Sequence, residues 1–274
     1  MRALAEFVMK DRRRAIIAVL LLGLLPMVNL LSPAIIGLIM LRKGWNETLA
    51  VLIWALLPMA AYAYIGDVIP LMLLLGVMLL AAVLRATQSW ELSLLGAMLF
   101  GLSVEAYLIM APQLLDMLFQ QLDAYMAANS IEGLPIEELR ATLTSFLGAT
   151  YGMLAGLLLI LARWMQAALY NPGGFRQEFH NLRISNKVAL LLVGAILASS
   201  FGVLPSNWIV YSTIPLLFAG AALVHGIVAI RQLPGALLAV FYTVMLLPIV
   251  MQGVVFLALM DSWYDFRKRL QRES

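Results

Sequence analysis

The sequence predicts an all-α fold, a polytopic helical membrane protein with about eight membrane segments in a single domain over residues 1–274. The first observation is composition, because 63% of the residues are hydrophobic and only 12% are charged. Soluble domains are about half apolar and about a quarter charged. The second is a mean hydropathy of +0.94, at which a soluble chain would expose large apolar patches. The third is a series of long apolar runs separated by short polar turns.

The same composition excludes several classes of protein. A chain this apolar is neither a soluble domain nor a nucleic-acid-binding protein, so no nucleic acid is expected among its partners. The absence of cysteine rules out disulfides and thiolate metal sites, and the two histidines, His180 and His225, leave little for a metal centre. The sequence contains no motif of a nucleotide-binding loop, a zinc protease or a serine hydrolase. We therefore predict no enzyme activity, no cofactor and no bound metal.

The first membrane segment follows a basic N-terminal tail, residues 1–14, which contains Arg2, Lys10, Arg12, Arg13 and Arg14. No signal-peptidase site follows the apolar run 15–31, so we predict a retained helix whose basic end lies in the cytoplasm. A short apolar piece then leads to Arg42 and Lys43. A helix that turns at Ser32-Pro33 and returns keeps these two charges on the cytoplasmic side.

Further apolar runs complete the predicted segments, and most of them reach the ~20 residues that cross a membrane. They lie at residues 46–65, 68–84, 92–115, 145–170, 188–204, 207–230 and 236–260. The loop 116–143 is acidic, with Asp116, Asp123, Glu132, Glu137 and Glu138, whereas the loop 171–187 contains Arg176, Arg183 and Lys187. Because positive charge is retained in the cytoplasm, we place 116–143 outside and 171–187 inside.

The C-terminal tail, residues 261–274, is basic, yet three segments that follow an inner loop would place it outside. Either the last segment is broken near Pro248 into two half-helices, which returns the tail to the cytoplasm, or the tail departs from the charge rule. We favour the cytoplasmic tail.

Polar residues inside the predicted segments are the candidates for a binding site, because an ionised group at mid-membrane costs at least ~2.5 kcal/mol. Glu105 shares a helix face with small residues, so we expect it to face protein. It is either a ligand-binding or proton-linked carboxylate in a central cavity, or a carboxyl group that ties two helices together. His225 also lies among small residues and is either a proton relay or a structural hydrogen-bonding group. Asn29 and Gln252, each close to a proline, are candidates for either role.

Three glycines in the run 145–170 form two overlapping G-x-x-x-G units, at Gly148, Gly152 and Gly156. This pattern permits the close approach of another helix. The partner helix belongs either to the same bundle, which we favour, or to a second copy in an oligomer.

The segment 171–187 is the most distinctive polar stretch. Asn-Pro-Gly-Gly at its start is strong turn chemistry, and Phe175, Phe179 and Leu182 follow at helical spacing. We predict a short amphipathic helix at the membrane interface. The residues that would dock a cytoplasmic partner are Asn171, Gly173, Gly174, Arg176, Glu178, His180 and Arg183.

Three stretches carry a resemblance to a known family, namely Leu30 to Trp45, Asn171 to His180, and Leu257 to Arg269. In these stretches and in its hydropathy the chain resembles the YybS-like family, bacterial multi-pass membrane proteins of unknown function, in the form found in gammaproteobacteria. The resemblance implies an inner-membrane protein, and a remote likeness to the substrate-binding S components of energy-coupling-factor importers. Those S components carry an A-x-x-x-A motif on the first helix, where this chain has Ala15-x-x-Ala18.

Two functions are compatible with these observations. The first is a small-solute binding or transport component of the bacterial inner membrane, with a polar cavity between Glu105 and His225 and the bilayer and a small molecule as its partners. The alternative is a non-transport scaffold or regulatory protein that docks a cytoplasmic or membrane protein, or anionic lipid, through 171–187.

Overall fold

A computed structural model describes residues 1–129 and 136–273, and over these residues the chain is helical without any strand. The helices are α1 Arg2–Lys10, α2 Arg12–Leu24, α3 Leu31–Lys43, α4 Trp45–Tyr64, α5 Ile69–Thr87, α6 Trp90–Met110, α7 Gln113–Ala128, α8 Ile136–Tyr170, α9 Gly174–Asn181, α10 Asn186–Ser200, α11 Trp208–Ile230, α12 Ala236–Val244, α13 Pro248–Tyr264 and α14 Phe266–Glu273. The all-α prediction is therefore confirmed for the described part of the chain.

Within the described residues, five helices (α4, α5, α6, α8 and α11) are long and apolar enough to cross a membrane. The pair α9 and α10, bent by 57°, and the pair α12 and α13, bent by 113°, raise the number to seven if each pair counts as one span. Many large apolar side chains on these helices are exposed, among them Ile53, Leu57, Leu99 and Leu190. Side chains of this kind need a lipid environment, as expected for a membrane-embedded protein.

The helices α2 and α3 form an antiparallel hairpin, as predicted. The Arg12 guanidinium donates a hydrogen bond of 2.6 Å to a carboxylate oxygen of Glu47, near the start of α4. The start of α2 and the end of α3, with Arg42 and Lys43, therefore lie at the same end of the bundle. The turn precedes Ser32-Pro33, which occupies the first turn of α3, where proline is tolerated.

The helix α3 fills the centre of one half of the bundle, with residues 32–41 all buried. It packs against α4, α5 and α8, and its Gly37 lies against side chains of α5 and α8. The carbonyl groups at its C-terminus need partners, because a helix leaves its last four carbonyls without an internal donor. Arg85 donates to Met40 O at 2.9 Å, and Gln166 donates to Leu41 O at 3.2 Å.

The last segment is broken, which matches the first of the two alternatives for the C-terminal tail. The chain bends by 113° between α12 and α13, and α13 returns along α11, where Val254 lies against Gly220. Asp265, at the end of α13, accepts a hydrogen bond of 2.7 Å from Arg183. The described part of the tail therefore lies beside the segment 171–187.

The two ends of the bundle differ in charge. We call the end that contains Arg12, Arg42, Arg85, Arg163, Arg183 and Arg267 the basic end. The other, which we call the acidic end, contains Asp116, Asp123, Glu137 and Glu138, and Glu132 lies outside the described residues.

The predicted loop 116–143 is helical over much of its described length. The helix α6 ends at Met110, before Pro112, and α7 follows with Leu115 and Phe119 buried on one face. The helix α8 has 35 residues, about 52 Å at 1.5 Å per residue, and this length exceeds a ~30 Å hydrocarbon core. Its first turns therefore extend beyond the apolar region. The sequence there is polar, which is why it was predicted as a loop.

Candidate functional site

Glu105 lies near the acidic end, where α6, α8 and the start of α11 meet. Its side chain is buried, with an exposed fraction of 7%. Ser145 Oγ donates a hydrogen bond of 2.6 Å to Glu105 Oε1, and Asn207 Nδ2 donates one of 2.5 Å to the same oxygen. Three separate elements thus converge on one carboxylate, which faces protein as predicted. Buried charged groups need such partners, because an unpaired ion in an apolar environment is strongly destabilising.

Glycines allow the three elements to approach this closely. A Cβ atom on Gly148 would lie 2.2 Å from the Tyr211 hydroxyl oxygen and 2.9 Å from Gly101 O. A Cβ atom on Gly152 would lie 2.9 Å from Ala97 O. Two glycines of the G-x-x-x-G units therefore contact α6, and the third, Gly156, faces Phe218 of α11. The favoured interpretation, packing within the bundle, accounts for all three glycines.

Tyr211 completes the junction. It is fully buried and donates a hydrogen bond of 3.1 Å to Ser145 O, while Ser145 binds Glu105 through its hydroxyl group. A fully buried tyrosine needs such an acceptor, since an unpaired hydroxyl would cost stability. The ring therefore fixes the position of α11 against the turn of α8 that carries Ser145.

A cavity of about 820 Å³ adjoins this junction, and Glu105, Ser145 and Asn207 are part of its wall. Apolar residues form much of the rest of the wall, namely Leu108, Ile109, Pro112, Leu115, Phe146, Pro205 and Val210, and the polar residues Glu137, Thr142, Thr144 and Ser206 also line it. Arg140 also lines the cavity, binds Asp116 at 2.5 Å and has a buried Nε without a hydrogen-bond partner. A concave site with apolar surface and a few converging polar groups is typical of small-molecule binding.

His225 lies elsewhere, so the predicted cavity between Glu105 and His225 is wrong. His225 is 18 residues beyond Asn207, about 27 Å along the helix, and it lines a different cavity at the basic end. Its Nε2 lies 2.9 Å from the Tyr242 hydroxyl oxygen. The two residues are far apart because their helices run in opposite directions. Glu105 and His225 both lie late in their helices, but α6 runs towards the acidic end and α11 runs away from it.

Asn29 and Gln252 also lie apart from Glu105. Asn29 belongs to the 3-10 turn Val28–Leu30, between α2 and α3, and its backbone N–H donates to Leu25 O at 2.9 Å. Gln252 is exposed on α13. Neither residue lines the cavity at Glu105 or the cavity at His225. The structure thus does not bring the four candidates together.

The segment 171–187 folds as a turn and a short helix, as predicted. Gly173 has a φ of +87°, which favours glycine, and α9 follows with the rings of Phe175 and Phe179 stacked at 5.7 Å. Asn171 is exposed, and its side chain lies against Gly174. Arg176 is exposed as well.

Several residues predicted to dock a partner instead bind other parts of this chain. Glu178 pairs with Arg163 of α8, and Arg183 donates to Asp265. Burial tends to raise the pKa of Asp265, but hydrogen bonds from Lys268 and the charge of Arg183 hold that pKa below its usual value. The carbonyl group of His180 accepts a hydrogen bond of 2.5 Å from Arg267. These contacts join α9 to α8 and to the C-terminal tail.

Sequence reasoning missed the partners of Glu105. Ser145 lies three residues before Gly148, and therefore on the glycine face of α8, which was a usable signal. Asn207 follows the turn Pro205-Ser206, and nothing local to it indicates a contact with α6. Among known proteins, no family model, no curated protein and no solved structure matches the chain, so the description of this site rests on its own geometry.

Proposed function

We propose that the protein binds a small solute in the cavity at Glu105, as a binding or transport component of the bacterial inner membrane. The observation that carries the proposal is the buried Glu105 carboxylate, which Ser145 and Asn207 hold in the wall of a cavity of about 820 Å³. A buried carboxyl group on a helix within the membrane is by default a candidate functional site. The inner membrane and the S-component-like arrangement are supported by the sequence resemblance alone, and the number of about eight segments by the apolar runs of the sequence.

The chemistry of the wall indicates the class of solute. Glu105 Oε1 accepts two hydrogen bonds from neutral donors, and no protein cation pairs with this carboxyl group among the described contacts. Arg140, the cation of the same cavity, is already paired with Asp116. A solute with an ammonium or other N–H donor group and an apolar body would bind the carboxylate and cover the apolar wall.

We place the acidic end outside the cell and the basic end in the cytoplasm, because lysine and arginine are retained on the cytoplasmic side. The solute then enters from outside. The chain has no nucleotide-binding motif, so any uphill transport requires a separate energising protein. Ala15 and Ala18, which stand where S components carry their docking motif, are buried in the bundle. A coupling protein would therefore need another surface.

Single cysteines test this orientation, because the chain contains no native cysteine. We expect a membrane-impermeant maleimide to label Tyr125→Cys in intact spheroplasts, and to label Arg13→Cys and Arg272→Cys only after permeabilisation. All three positions are exposed, so each should react once the reagent reaches it. Labelling of Arg272→Cys in intact spheroplasts would contradict the orientation.

Glu105→Gln tests the solute site. We expect native mass spectrometry in mild detergent to show a small molecule on the wild type and at least about tenfold less on Glu105→Gln, since charge-assisted hydrogen bonds contribute about 1.5–3 kcal/mol. Glu138→Gln is the matched control, because Glu138 is an exposed carboxylate at the same end and does not line the cavity. Only lipid on all three proteins would contradict the proposal and favour the scaffold alternative.

A further inference from the structure

A second cavity, of about 940 Å³, lies at the basic end between α8, α9, α11 and α12. The proposed function makes no use of it. His225 and Tyr242 lie in its wall, where Nε2 and the hydroxyl oxygen are 2.9 Å apart. The ring of His180 lies beside them, with its centroid 6.2 Å from that of His225. One part of the cavity wall is therefore polar.

The charged side chains that line this cavity are cationic. Among the described residues that line it, the ionisable groups are Arg2, Arg176, His180, His225 and Tyr242, and none is an aspartate or a glutamate. Arg2 forms an ion pair of 2.9 Å with the exposed Glu6. Arg176 is an exposed cation at the rim of the cavity. Its positive charge comes from the two arginines, and a cavity lined in this way favours an anionic group.

The remaining wall is apolar and adjoins the outer surface of the bundle. Ile160, Trp164, Phe175 and Leu238 line it, and Trp164 is 38% exposed. Leu237 and Val240, next to Leu238 on α12, are exposed as well. A free phosphate ion would leave this wall uncovered, whereas an acyl chain would cover it. An anion that carries long apolar chains satisfies both parts of the cavity.

We propose that this cavity binds an anionic diacyl phospholipid. Its phosphate lies at Arg176 and Arg2, and one acyl chain lies against Trp164 and Leu238. Basic pockets between membrane helices on the cytoplasmic side are known to hold anionic headgroups. The site places α9, at the membrane interface, in contact with a lipid that α8, α11 and α12 also touch.

Quenching of Trp164 by brominated lipid tests the proposal on the full-length protein. The protein is reconstituted into phosphatidylcholine vesicles that contain increasing fractions of either dibrominated phosphatidylglycerol or dibrominated phosphatidylcholine. The fluorescence of Trp164 is obtained by subtracting, for each protein, the fluorescence of the same protein that also carries Trp164→Phe. We expect phosphatidylglycerol to quench at a several-fold lower mole fraction, since each arginine near the surface contributes about fivefold.

Arg176→Gln, measured in the same way, should reduce this preference about fivefold. Arg13→Gln is the control, because Arg13 is an exposed cation at the same end and does not line the cavity. It should leave the preference unchanged. Equal quenching of the wild type by both lipids would overturn the proposal, and so would an equal loss in Arg13→Gln and Arg176→Gln, because both results would indicate general attraction to a charged membrane.

Discussion

Gly148→Ala is expected to destabilise the protein by about 2 kcal/mol and to displace Glu105. The added methyl group would lie 2.2 Å from the Tyr211 hydroxyl oxygen, 2.9 Å from Glu105 Cβ and 2.9 Å from Gly101 O. None of these neighbours is free to move, because Tyr211 is fully buried and Gly101 O is backbone. Overpacking of this severity costs up to about 3 kcal/mol, and the helix propensity of alanine offsets about 1 kcal/mol.

Gly194→Ala is the matched control, because a Cβ atom at Gly194, in the middle of α10, would meet nothing within 4 Å. It should unfold at the wild-type temperature or slightly above. Thermal unfolding followed by circular dichroism in one detergent compares the three proteins. Native mass spectrometry should also show that Gly148→Ala retains less solute, since the Glu105 site shares the same contacts. An unchanged unfolding temperature for Gly148→Ala would contradict the packing described for α6 and α8.

Asp261→Ala is expected to have the largest effect on stability, about 3–5 kcal/mol, the typical cost of breaking a buried ion pair. Asp261 and Arg267 have exposed fractions of 1% and 6%. Asp261 Oδ2 lies 2.7 Å from an Arg267 nitrogen, and Oδ1 accepts a hydrogen bond of 2.9 Å from the backbone N–H of Phe266. Removal of Asp261 leaves the Arg267 charge buried without its carboxylate partner.

The exposed pair Arg2 and Glu6 provides the control for this experiment. Glu6→Gln removes an ion pair of the same charge type at the surface, where such pairs contribute about 0–1 kcal/mol. The double variant Asp261→Ala with Arg267→Met should recover part of the stability lost in Asp261→Ala, because it leaves no unpaired charge. Equal unfolding temperatures for Asp261→Ala and Glu6→Gln would show that the buried pair of Asp261 and Arg267 contributes no more to stability than the exposed pair.

Much of the fold was predictable from hydropathy and charge. The return of α3 to the basic end followed from the cost of leaving Arg42 and Lys43 on the wrong side. The broken last segment was one of two alternatives, and Pro248, the first residue of α13, marks the break. The helix α7 was not predicted because it is apolar on one face only and its charged residues are acidic.

The site was predictable only in part. Glu105 was identified because a carboxyl group in an apolar run is energetically costly, and this cost indicates a specific role whatever the neighbouring residues are. Its partners Ser145 and Asn207 come from elements 40 and 102 residues away, and no local pattern encodes such contacts. The pairing with His225 failed because the size of neighbouring residues indicates a packed face but not the end of the bundle at which that face lies.

The buried helix α3 has a consequence for biogenesis. It is about 20 Å long, from 13 residues at 1.5 Å each, and most of its surface is covered by helices made later. Gln166, which binds Leu41 O, is synthesised 125 residues after it. During insertion the hairpin of α2 and α3 must therefore remain at the membrane while nearly half of the chain is translated. A nascent chain stalled before α8 should leave α3 open to cross-linking with lipid or with the insertion machinery, and completion of α8 should close that access.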